Sequence, residues 1–152
     1  MHRKGIIGLG SDLRGDDGVG HSVVAYLERS DIGDIDLIYG GTGGMRLIHD
    51  LSELDRAVII DAAKMGLEPG GYRIFTPDQA VKVESFRASN QHEWDLFRSL
   101  EVLKLTGEEE KKVLIMGVEP YTMDLGEGLS EGIRERIPEY ACEALRAIDE
   151  SN

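Results

Sequence analysis

The stretch Gly8-Leu9-Gly10-Ser11-Asp12-Leu13-Arg14-Gly15-Asp16-Asp17-Gly18-Val19-Gly20 constrains this chain more than any other. It follows the apolar run Gly5-Ile6-Ile7 and leads into Val19, Val23, Val24 and Leu27 at helical spacing, so it reads as the loop between a first strand and a first helix. Loops of this kind often hold phosphate, because glycine admits close backbone approach and a helix N-terminus offers free N–H groups. Here Asp16 and Asp17 stand where an anion would sit, which favours a metal or a cationic substrate. Familiar alternatives fail on single positions. A dinucleotide fingerprint needs glycine where Leu13 stands, and a P-loop needs Lys-Ser or Lys-Thr where Asp16-Asp17 stand. A nucleophile elbow around Ser11 needs glycines where Leu9 and Leu13 stand.

The rest of the chain alternates strand and helix patterns. Lys4 to Leu9 reads as a buried strand, with Asp16 or Asp17 as the N-cap of the next helix. Ile35 to Tyr39 is a second strand running into Gly40-Gly41-Thr42-Gly43-Gly44, and Met45, Leu47, Ile48 and Leu51 mark a short amphipathic helix. The continuously apolar Ala57-Val58-Ile59-Ile60 suits a central strand covered on both faces, closed by Asp61. Tyr72 to Phe75 follows a Pro-Gly-Gly turn with no intervening helix, which favours an antiparallel neighbour. Thr76 to Gln91 reads as a long functional loop with a little local structure, His92 to Leu105 as a helix, and Glu108 to Lys112 as a solvated connection. Val113 to Met116 is a fifth strand, and a final helix carries Ile133, Ile137, Ala141, Ala144 and Ile148 with a start or kink at Pro138. Cys142 on that helix is expected to pack in the core. Alternation of this kind implies a three-layer α/β/α sandwich around a twisted, mostly parallel, five-stranded mixed sheet, formed as one domain over residues 1–152.

Composition narrows the partners. A formal charge of −12 argues against nucleic acid and anionic membrane, both of which need a basic surface. The single cysteine excludes an internal disulfide and an all-cysteine metal site, in keeping with a reducing compartment. The apolar run behind Met1-His2-Arg3-Lys4 is interrupted by Gly5, Gly8 and Gly10, too short for a signal peptide or a membrane span. The expectation is a cytoplasmic protein, monomeric and without a membrane partner.

Sites in such sheets lie at the carboxyl ends of the strands. Asp16 and Asp17 follow the first strand, Asp61 ends the third, and His92 begins the helix that precedes the fifth. An aspartate at a helix start is ordinarily a cap, and a histidine at such a place is ordinarily surface. Convergence of two carboxylates and an imidazole at one sheet edge is what points to a divalent metal of the nickel or zinc kind, with positions open for water or substrate. His92-Glu93-Trp94-Asp95-Leu96 lacks the second histidine of a zinc-protease helix.

Taken together, the first motif, Gly40-Gly41-Thr42-Gly43-Gly44-Met45, Ile59-Ile60-Asp61-Ala62, His92 and Gly117-Val118-Glu119-Pro120 closely resemble, in order and over nearly the whole chain, the [NiFe]-hydrogenase maturation endopeptidases. The resemblance implies an endopeptidase that removes a C-terminal extension from the hydrogenase large-subunit precursor after nickel insertion. It implies metal ligation and catalysis by Asp17, Asp61 and His92, with the nickel carried by the precursor and zinc or cadmium as surrogate ions. Gly40, Gly41, Thr42 and Gly43 would offer backbone N–H groups to the substrate. Asn is usual in the family where Ser11 stands, and Asp where Tyr39 stands; the second departure bears on the choice of precursor. Two other readings suit the same residues: a non-catalytic nickel-binding assembly factor, and a small-molecule hydrolase of the same fold.

Overall fold

The computed structural model describes residues 3–41, 45–81, 112–126 and 128–150. His92, Thr42 and Gly43 lie outside these residues, as does the expected helix from His92 to Leu105. The described strands are β1 (Lys4–Leu9), β2 (Ile35–Gly41), β3 (Arg56–Ala62), β4 (Tyr72–Phe75) and β5 (Lys112–Val118). The described helices are α1 (Val19–Glu28), α2 (Met45–Ser52), α3 (Pro77–Val81), α4 (Glu131–Arg134) and α5 (Ile137–Glu150), with a 3-10 turn at Gly15–Gly18 ahead of α1.

The strands lie in the order β2-β1-β3-β5-β4. All pairs are parallel except β4 with β5. The expected antiparallel strand is therefore present, but its neighbour is β5 and not the preceding β3.

Alternation along the strands sorts their side chains into two cores. Ile6, Val58 and Ile60 meet Val23, Val24 and Leu27 of α1 and Tyr140, Ala144 and Ile148 of α5. Ile7, Leu9, Ile59 and Ile115 meet Leu47 and Leu51 of α2 on the other face. The three-layer sandwich expected from the sequence is thus realised, and β3 is its centre. Val58, Ile59 and Ile60 are wholly buried, each contributing roughly 1.5–3 kcal/mol of burial free energy.

Two glycines of the first motif let α1 sit directly on the sheet. A Cβ on Gly8 would collide with the Gly20 carbonyl oxygen, and one on Gly20 would meet the Ile60 carbonyl oxygen and lie 2.6 Å from that of Leu9. Backbone cannot yield as a side-chain tip can, so these positions fix the approach of helix to sheet.

The helices meet two local expectations and change a third, the core packing of Cys142. Pro138 stands in the first turn of α5 and marks a helix start, one of its two expected roles, with the short α4 a separate helix before it. Cys142 is exposed on α5, outside the core that Ala141 and Ala144 enter. The segment after β4 begins with the short helix α3, in keeping with the little local structure expected there.

Candidate functional site

Four carboxylates are buried among the described residues, namely Asp16, Asp17, Asp61 and Glu119, and all follow or end strands at the carboxyl edge of the sheet. Burying a carboxylate is costly unless hydrogen bonds or a cation compensate it. What each one meets separates structural from functional roles.

Asp16 is a clamp. Its Oδ2 accepts from the N–H of Tyr121 (2.8 Å), the N–H of Thr122 (3.1 Å) and the Ser130 hydroxyl (2.8 Å), while Oδ1 accepts from the Ser130 N–H (2.7 Å). Backbone bonds run alongside, from Asp16 N–H to Thr122 O and from Gly15 N–H to Gly126 O. The loop after β5 is thereby stitched to the first motif. Neither Asp16 nor Asp17 caps α1, contrary to the sequence expectation: Gly18 is the N-cap residue, and no side chain bonds there. The cause is the 3-10 turn over Gly15–Gly18, which takes up both aspartates and leaves Gly18 at the helix start.

Glu119 holds a second loop. Its Oε1 accepts from the N–H groups of Met65 (2.7 Å) and Leu67 (3.1 Å), just past β3. A polar residue directly after a strand is ordinarily exposed, and here it is buried. The signal available in the sequence was its place directly after a strand in Gly117-Val118-Glu119-Pro120.

Asp17 and Asp61 are the pair with a different character. Asp17 is 1% exposed, and its Oδ2 accepts from the Ser11 N–H at 2.9 Å. This contact keeps a hydrogen-bonding backbone group at Ser11 irrespective of its side chain. Gly10, with φ of 117°, permits the bend; a Cβ there would collide with the Asp17 carbonyl oxygen. Asp61 is wholly buried in the last turn of pleat of β3. Since Gly8 of β1 pairs with Ile60 of β3, and the 3-10 turn packs against β3, the two carboxylates share the ends of adjacent central strands. Oxygen donors so placed suit a divalent cation. Among the described residues no group of three or more His, Cys, Asp or Glu side chains is placed to hold a metal ion. The third expected ligand, His92, lies outside them.

The glycine-rich segment supports the same edge. The Gly10 N–H donates to the Gly41 carbonyl at 2.8 Å, tying the end of β2 to the first motif. A Cβ on Gly40 would lie 2.6 Å from Leu9 Cδ2, so that glycine serves packing as well.

His21, on the first turn of α1, is largely buried. Its Nδ1 lies 3.3 Å from Asp12 Oδ1, and its ring stands edge-on to Tyr39 at 5.5 Å between centroids. Partial burial, then a hydrogen bond to Glu28 and the charges of Glu28 and Asp12, push the Tyr39 phenol above its ordinary value. It stays neutral at physiological pH.

The fold and site define an α/β protein with an acidic centre at the carboxyl edge of a doubly covered sheet. A family model for the HycI hydrogenase maturation protease matches residues 21–147. The hydrogenase 2 maturation protease of Escherichia coli is 28% identical over 148 residues, covering 96% of this chain and 90% of that protein. The hydrogenase expression/formation protein HupD of Bradyrhizobium diazoefficiens is 27% identical over 146 residues, covering 92% of this chain and 76% of that one. Among solved structures, the hydrogenase maturating endopeptidase HybD from E. coli superposes with a TM-score of 0.83 at 28% identity, over 99% of this chain and 94% of that one. The [NiFe] hydrogenase maturation protease HycI from Thermococcus kodakarensis gives 0.74 at 26% identity, over 97% and 93%. The chain belongs to the hydrogenase maturation protease family. It is a hydrolase, and its reaction is endopeptidic. No described helix is long and apolar enough to cross a membrane.

Proposed function

We propose that this enzyme removes the C-terminal extension of a [NiFe]-hydrogenase large-subunit precursor in the cytoplasm, and that it recognises the nickel the precursor already carries. One observation supports this above the rest: Asp17, in the turn that follows β1, and Asp61, near the end of the adjacent β3, are buried carboxylates in a chain of the hydrogenase maturation protease family. Buried carboxylates at one edge of a sheet are well compensated by a cation. His92 completes the proposed donor set with an imidazole. Nickel engaged by these groups supplies Lewis acidity to polarise the scissile carbonyl or activate a water. The chain itself supplies position: the Ser11 N–H donates to Asp17, and Gly40 to Gly43 would offer backbone N–H groups to the substrate.

Asp17→Asn, Asp61→Asn and His92→Ala are each expected to abolish processing of a nickel-loaded precursor while leaving the far-ultraviolet circular dichroism unchanged. Near-normal processing by any one of them removes that residue from the site.

A further inference from the structure

The large apolar side chains left exposed among the described residues are Leu13, Tyr39, Met45, Tyr121 and Leu125. All of them gather at one end of the molecule: Leu13 follows β1, Tyr39 stands near the end of β2, Met45 opens α2 just past it, and Tyr121 and Leu125 follow β5. The three strands run parallel, so this end is the carboxyl edge that carries Asp17 and Asp61. The opposite edge is polar and internally paired, with Arg3 on Asp36 at 2.9 Å and Lys4 on Asp149 at 3.3 Å. A single exposed leucine needs no explanation, but apolar side chains collected at one end mark a contact surface.

Leu13 and Leu125, 61% and 81% exposed, are pinned side by side. The Leu13 carbonyl accepts from the Gly126 N–H at 2.9 Å, and the Gly126 carbonyl accepts from the Gly15 N–H at 3.0 Å. This parallel bridge sets Leu125 beside Leu13. The wholly buried Asp16 grips the same loop at Tyr121, Thr122 and Ser130. The pair is tied to the site as well, because the Leu13 N–H donates to the Ser11 hydroxyl at 3.2 Å and the Ser11 N–H donates to Asp17. Leu13 lies two residues beyond Ser11, a reach of about 7 Å at full extension. Two leucines held in place without cover of their own are preorganised for a partner.

We propose that Leu13 and Leu125 form an apolar docking ridge for the folded body of the precursor, beside the segment that enters the site. The partner follows from position. An endopeptidase must bring a polypeptide to this edge, and a chain that reaches Asp17 brings the protein it belongs to against Leu13. The complementary surface is uncharged and apolar, since two leucines offer no ion pair and no hydrogen bond. A second copy of this chain is the poorer occupant, because a dimer closed over this edge would shut the substrate out from Asp17. Docking of the body adds a contact that does not involve the metal, and it selects the protein as well as the segment. The inference rests on the processing proposed above.

The test compares wild type with the double variant Leu13→Gln, Leu125→Gln, which removes apolar surface at constant charge, and with Leu13→Met, Leu125→Met, which retains it. Processing of nickel-loaded precursor and calorimetric binding of nickel-free precursor are measured for each. The Gln pair is expected to raise KM and Kd by about tenfold with kcat unchanged, and the Met pair to stay within about twofold of wild type. Leu125→Gln alone, at the more exposed position, should raise both by about threefold. Thermal melts of all variants should match wild type, since both side chains are exposed. The ridge assignment is wrong if the Gln pair binds and processes like wild type, if it lowers kcat and leaves KM alone, or if the Met pair fails equally. Sedimentation showing a wild-type dimer that the Gln pair dissolves would give the ridge to a second copy instead. If wild type binds the precursor through the ridge but cuts neither form, the processing reading fails and the docking stands; if the Gln pair cuts at wild-type KM, the processing stands and the docking fails.

Discussion

Replacing Asp16 by Asn tests whether the loop after β5 is held by a carboxylate clamp. Asn can place its one oxygen where Oδ2 accepts from Tyr121, Thr122 and the Ser130 hydroxyl, but its NH2 then faces the Ser130 N–H, now 2.7 Å from Oδ1. One charge-assisted bond is lost, a donor opposes a donor, and the remaining bonds lose their ionic strength. Hydrogen bonds to a charged group contribute about 1.5–3 kcal/mol each, and the site is wholly buried, so a loss of about 2–3 kcal/mol is expected. For a chain of this size that lowers the melting temperature by roughly 4–12 °C. Ala, which leaves every donor unmet, should cost more. The assay is thermal and urea denaturation followed by circular dichroism. A shift for Asp16→Asn smaller than about 2 °C would refute the clamp. Ser130 offers an internal check. It is the N-cap residue of α4, yet it makes no side-chain capping bond there, and its hydroxyl donates to Asp16. Ser130→Ala should therefore weaken the clamp by roughly one hydrogen bond, about 1 kcal/mol.

Gly20→Ala should destabilise the fold by about 3 kcal/mol or more, read by urea unfolding, because the new methyl meets backbone of both β1 and β3. Glu119→Gln retains an oxygen for the Met65 and Leu67 amides and should cost little, whereas Glu119→Ala should cost about 2 kcal/mol in the same assay. Tyr140 donates its hydroxyl to the Gly70 carbonyl at 2.6 Å, and burial pushes its phenol from 10.0 up to about 12. Between those values the unfolded chain releases a proton that the folded chain keeps, so stability falls as pH rises from 10 to 12. Tyr140→Phe should flatten that slope in unfolding midpoints measured across the window.

Much of this arrangement is legible in local sequence. The strand β1, the turn after it and the apolar β3 announce themselves by periodicity and glycine spacing, and the rule that α/β sites lie at strand ends then picks out Asp17 and Asp61. The job of Asp16 is not local. Its partners Tyr121 and Ser130 lie 105 and 114 residues away in sequence, so nothing near Asp16 distinguishes a clamp from a helix cap. The same holds for β4, whose local signal shows a strand but cannot say that β5 will be its neighbour. The roles of Glu119 and His21 are hidden from local sequence for a related reason. Each is polar on an element end, where exposure is ordinary, and only the packed sheet shows one gripping the Met65 and Leu67 amides and the other set between Asp12 and Tyr39.

The most direct test of the central claim is the intact mass of a hydrogenase large-subunit precursor after incubation with the purified enzyme, in nickel-loaded and nickel-free forms. The account predicts loss of a single C-terminal peptide from the nickel-loaded form alone. Equal cleavage of both forms would contradict nickel recognition, and no mass loss from either would contradict the assignment as a C-terminal processing enzyme.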